Sequence, residues 1–118
     1  MQRNELAYLN DVVDACEAIE SALTDQDLEA YRSSGLIRSA VEREFIIVGE
    51  AMAALSRLSP QLFERITHAR RIVDFRNQLA HQYSDVDDTS WLIARHDAPV
   101  LRAECAALLR ELGDQMLP

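Results

Sequence analysis

Apolar residues recur at helical spacing along the whole chain, and only three glycines and three prolines interrupt its 118 residues. This pattern constrains the fold more than any other feature, because a period near 3.6 keeps residues on one face of a helix and of nothing else. Leu6, Leu9, Val13, Cys16 and Leu23 make the stripe of a first helix over residues 4–21. A short acidic turn or helix over 25–31 follows, and Ser33-Ser34-Gly35 breaks it. Residues 36–58 form the longest helix, with Ile37, Val41, Val48, Met52 and Leu55 on one side. Ser59-Pro60 stops that helix and starts a short helical turn through Phe63, since proline suits a first helical position. A further helix spans 67–82, Asp85-Val86-Asp87-Asp88 reads as a capping turn, and a last helix covers 91–116. Pro99 should kink that last helix, because it has no N–H to give. The expected fold is all-α: an up-and-down bundle of four main helices plus short helical turns, in one domain over residues 1–118.

The helix over 67–82 is not built for packing alone. Around an ideal helix Ile72, Phe75, Leu79 and Tyr83 share one arc, and Arg76 falls inside it. A lone buried charge is too costly to tolerate, so Arg76 must meet a carboxylate, a phosphate or a wet cleft. Glu44, on the inward arc of the long helix, is the structural candidate for that partner. His81 projects about 140° away from Arg76, on the side of Asp74, Asn77 and Arg70, and taken alone reads as a solvated histidine. Tyr83 taken alone reads as a core aromatic with its hydroxyl at the rim. Glu50 and Arg43 read as solvated.

The net charge of −8 argues against a general nucleic-acid binder. The charge is uneven, however. Residues 1–31 hold eight acids against Arg3 alone, whereas residues 64–81 hold Arg65, Arg70, Arg71 and Arg76 against Glu64 and Asp74. A local basic patch can take phosphate while the acidic remainder repels other polyanions. All twelve basic residues are arginine, which grips planar anions two-pronged. Cys16 and Cys105 read as small buried hydrophobes rather than a disulfide or a nucleophile. No apolar run reaches the ~20 residues of a membrane span, and Met1-Gln2-Arg3-Asn4-Glu5 has no signal core, so a cytoplasmic protein is expected. His68, His81 and His96 have no carboxylate or thiol at ligand spacing, so neither a metal nor a cofactor is expected. Glycines 35, 49 and 113 make no phosphate loop, and no nucleophile elbow is present.

Arg76 and His81 separated by four residues, with Asn77 after the arginine and Tyr83 two beyond the histidine, resemble the Arg-x4-His-x-Tyr motif of HepT-like proteins, in the HEPN superfamily of all-helical domains. Val48-Gly49-Glu50-Ala51 resembles that family's Gly-Glu-Ala segment. Leu58-Ser59-Pro60, Asp74-Phe75-Arg76-Asn77, Asp85-Val86-Asp87 before Trp91, and Pro99 with a leucine-rich last helix fit it too. Ile66-Thr67-His68-Ala69-Arg70 departs from it, lacking the Pro and Trp that often precede this helix.

The resemblance implies a metal-independent endoribonuclease, the toxin of a type VII-like toxin–antitoxin pair, with its site in the cleft of a homodimer. It implies catalytic Arg76 and His81, supporting Asn77 and Tyr83, and an RNA substrate. It also implies control by an MntA-like nucleotidyltransferase antitoxin that transfers AMP to Tyr83. The residue chemistry agrees: RNA brings its own 2′-OH nucleophile, His81 can move protons near neutrality, and Arg76 can hold the growing phosphorane charge. Two other classes stay open, namely a catalytically idle nucleotide-binding or adaptor module, and a plain dimeric protein that holds a partner.

Overall fold

The computed structural model describes residues 3–81 and 86–115. Helix α1 spans Glu5–Ala22, and the Asn4 side chain caps it by accepting the Ala7 N–H at 3.0 Å. Asp25, at φ 61°, turns the chain in the left-handed region that aspartate tolerates. Asp27 then caps α2, Leu28–Ser33, and Ser34 caps α3, Gly35–Leu58. Ser59 caps α4, Pro60–Glu64, with Pro60 at the first helical position. Four side chains that compete with the backbone for hydrogen bonds thus stand where helices begin. Helix α5, Ala69–His81, starts two residues later than its apolar spacing suggests. The Thr67 N–H and hydroxyl are taken by the Glu104 carboxylate, the latter at 2.7 Å, before the helix opens.

The C-terminal third differs from expectation. Val86, Asp87 and Asp88 do not form a capping turn but open α6, Val86–Leu92. The long last helix is divided: a π-helical turn over Ile93–Asp97 leads into α7, Ala98–Gln115. The Ala98 N–H bonds the Ile93 carbonyl, five residues back. Pro99 accounts for the disturbance, since it has no N–H for the Arg95 carbonyl and its ring crowds that same group. One extra residue in the turn relieves the clash.

Helix α1 lies between α3 and α7, and α3 also carries α5 and α4. The four long helices form the expected all-α bundle. Because α1 has neighbours on two sides, its buried face is broader than a stripe: Val12 and Ile19 are completely covered along with Leu9, while Val13 sits at the edge. Phe45 of α3 meets Phe75 of α5 edge to face, with centroids 5.3 Å apart. Cys16 and Cys105 are buried free thiols, each pushed up to about 12 chiefly by burial, so neither supplies a thiolate near neutrality. Among the described residues no helix is long and apolar enough to cross a membrane.

Candidate active site

The inner face of α5 explains the odd arginine. Ala69, Ile72 and Phe75 are buried against the core, and Arg76, on the flank of that face, is half-buried. Its stem runs across Gly49 at the middle of α3. A Cβ built on Gly49 would lie 2.3 Å from the Arg76 Cβ and 2.6 Å from its Cγ, closer than non-bonded carbon atoms approach. Glycine within a helix costs about 0.5–1 kcal/mol relative to alanine. Here that cost is the condition for α3 and α5 to approach so closely.

The Arg76–Glu44 pair, the structural alternative to a catalytic Arg76, is absent. No hydrogen bond or ion pair reaches Arg76 among the described residues, and its Nε is fully covered without a partner. Nε is the one Arg76 nitrogen in that condition, so the Nη1–Nη2 edge is the part of the guanidinium open to an incoming group. A cation held by its stem, with its terminal fork free, suits an oxyanion.

The outer face of α5 presents Asp74, Asn77 and Gln78, all exposed. Arg71, Asp74, Phe75 and Gln78 line an open cleft of about 370 Å³ whose far wall is Thr89 of α6 and Ile93 of the π turn. The backbone of α5 remains helical through His81, its last residue, so positions 76 and 81 stay about 140° apart around the axis. The His81 side chain and all of Tyr83 lie outside the described residues.

Both elements flanking that segment are anchored. Behind α5, Arg65 grips Glu111 of α7 through two bonds of 3.1 and 2.7 Å, which holds the Glu111 carboxyl below its ordinary range. Arg71 lies 3.1 Å from the buried Asp97, and His68 lies 3.9 Å from the other carboxylate oxygen. The Arg71 contact is an ion pair by distance but is not aligned as a hydrogen bond, because that Asp97 oxygen has no hydrogen-bond partner. On α6, Asp88 takes two bonds from Arg32, at 2.8 and 2.6 Å, and these hold its carboxyl below the usual value. The buried Ser90 hydroxyl meets the Tyr31 hydroxyl at 2.6 Å, and the Tyr31 ring packs on Trp91.

The basic zone of residues 64–81 is therefore partly consumed. Arg65 and Arg71 face acids, and Arg70 lies over the Phe63 ring, 5.6 Å from its centroid. Arg70 and Arg76 have no acid partner among the described residues. Sequence reasoning missed the use of Gly49, the Arg71–Asp97–His68 cluster and the cleft. A glycine in the centre of an apolar helix was the one available signal. The carboxylate that His68 approaches in space, Asp97, stands 29 residues away in sequence.

Residues 12–108 match the protein family described as Ribonuclease HepT-like. The chain is 26% identical over 117 residues to "Putative RNase MJ0125" of Methanocaldococcus jannaschii, covering 97% of this chain and 98% of that protein. It is 30% identical over 108 residues to "Probable ribonuclease HepT" of Thermococcus cleftensis, covering 88% of this chain and 94% of the relative. A third relative, "Gamma-glutamylcyclotransferase and putative RNase MJ0434" of Methanocaldococcus jannaschii, is 27% identical over 115 residues; these are 95% of this chain but only 50% of that protein. No solved structure matches the chain.

Proposed function

The chain belongs to the HepT-like ribonuclease family, and from that premise we propose that it is a metal-independent endoribonuclease whose site forms between two copies of the chain. The observation that carries this reading is Arg76, a stem-locked cation with a free terminal fork and no acid partner among the described residues. Neutral His81 takes the proton of the ribose 2′-OH as the 2′-oxygen bonds to phosphorus. The P–O5′ bond breaks, the 5′-oxygen gains a proton, and a 2′,3′-cyclic phosphate remains. Arg76 holds the phosphorane oxygens through its Nη edge, where charge grows most. Asn77, exposed one residue on, orients a phosphate or ribose oxygen, and Tyr83 donates a further hydrogen bond. Positions 76 and 81 diverge on one regular helix, so a twofold axis that brings two copies of α5 together would let Arg76 of one copy work with His81 of the other.

The protein would act as the toxin of a type VII-like pair in the cytoplasm, restrained by an MntA-like nucleotidyltransferase. In that reaction the Tyr83 oxygen attacks the α-phosphorus of ATP and pyrophosphate leaves. The AMP then brings a phosphate charge and bulk to the mouth of the anion site.

The test combines sedimentation with cleavage of a single-stranded RNA in EDTA. A dimer, a cyclic-phosphate product, and loss of cleavage in His81→Ala and in Arg76→Ala with the fold retained are the expected results. Loss on chelation would remove the metal-free mechanism. Nucleotide binding that depends on Arg76 without any cleavage would favour the idle binding module. Intact mass after incubation with the nucleotidyltransferase, ATP and magnesium should rise in AMP steps that vanish in Tyr83→Phe.

A further inference from the structure

In the Val48-Gly49-Glu50-Ala51 segment, a Cβ added at Gly49 would fall inside van der Waals contact with the Arg76 stem. We propose that Gly49 is a positioning residue for RNA cleavage: its missing side chain seats Arg76 so that only the Nη edge of the guanidinium can meet a phosphate. The inference rests on the ribonuclease reading above and adds a residue that does not touch substrate.

The three atoms nearest a Cβ at position 49 all belong to Arg76, at 2.3, 2.6 and 3.6 Å. The closest two are the Cβ and Cγ, the root of the side chain rather than its flexible end. They cannot swing aside as a terminal group would: rotation about the first side-chain bond moves Cγ but leaves Cβ in place, so an added methyl must push α5 off α3. That displacement moves the guanidinium. The Nε of the same side chain is completely covered. An arginine pressed against backbone along its stem has lost most of its rotamer freedom before any ligand arrives, and less ordering is left to oppose binding. An arginine on an ordinary helix surface has neither property. Gly49 thus converts a flexible cation into a preorganised one, and it does so only for the residue directly across the helix pair.

The test compares wild type, Gly49→Ala, Arg76→Ala and the double variant. Circular dichroism and sedimentation check fold and assembly. Cleavage kinetics, and binding of a 2′-O-methyl RNA oligonucleotide across a salt series, follow. Misplacement of a reacting group by about 1 Å costs about 100-fold, so folded Gly49→Ala should lose about that much kcat/KM. A lost phosphate contact on single-stranded RNA lowers the slope of log K against log salt by about 0.7. Gly49→Ala and Arg76→Ala should each show that loss, and the double variant no more than either. A merely structural glycine would change the melting temperature but leave the slope alone. Folded Gly49→Ala with a wild-type slope, beside an Arg76→Ala variant that has lost it, would overturn the positioning role and leave the ribonuclease reading standing. Arg76→Ala that keeps both cleavage and slope would overturn that reading first, and the role of Gly49 with it. If Gly49→Ala does not fold, the wild-type protein decides by NMR. The Arg76 Nε–H should exchange with water far more slowly than those of the exposed Arg43 and Arg110, and equal exchange rates would overturn the seat.

Discussion

Arg76 faces two opposed costs. Its covered Nε lacks a partner, which costs about 1–3 kcal/mol, while its methylenes gain about 0.8 kcal/mol for each one buried. With no Glu44 carboxylate beside it, truncation strands no buried charge. Arg76→Ala should therefore leave the stability to urea within about 1 kcal/mol of wild type while cleavage disappears. A loss of 3 kcal/mol or more would reveal a buried charged partner. The arginine itself was conspicuous from the apolar arc on which it sits. Its seat was not, because positions 49 and 76 become neighbours only when α3 and α5 cross.

Among the elements, the π turn over Ile93–Asp97 has the widest consequence for the site. The extra residue that accommodates Pro99 turns Asp97 inward, 6% exposed, against Arg71 and His68 at the start of α5. The motif helix is thereby tied to the far wall of its own cleft. Arg71 remains 58% exposed, so solvent screens much of the pair. Asp97→Asn keeps the shape and removes the charge. It should lower stability by about 1 kcal/mol in urea, and the loss should shrink in an Arg71→Ala background. Equal losses in both backgrounds would show that Asp97 does not act through Arg71.

Across the whole molecule, exposed ion pairs tie the periphery to the bundle: Arg32–Asp88 joins α2 to α6, and Arg65–Glu111 joins the end of α4 to α7. Arginine hydrogen bonds hold both carboxyls below their ordinary values. A depressed carboxyl stabilises the fold above its unfolded value, near pH 4, and that contribution is lost as pH falls through the lower folded value. The melting temperature should therefore fall below about pH 4, and fall less steeply in Asp88→Asn/Glu111→Gln. The difference should fade in high salt, since both pairs are solvated. An unchanged slope in the double variant would assign the acid loss to other carboxylates.

Whatever depends on residues within about one helical turn was decided by the sequence itself. The helices follow from apolar spacing, and Asn4, Asp27, Ser34 and Ser59 start them through bonds that reach only three residues ahead. Pro99 announced a disturbance for the same local reason, although the stretch that absorbs it lies before the proline. The charge anomaly at Arg76 was also local, a cation at an apolar position of one helix. The tertiary structure alone decided what that cation meets. The crossing of α3 and α5 puts Gly49 rather than Glu44 beneath its stem, and the π turn carries Asp97 to Arg71 across 26 residues of chain. Those contacts depend on helix distance and rotation, set by the packing of every buried side chain at once, and no spacing along the chain encodes them.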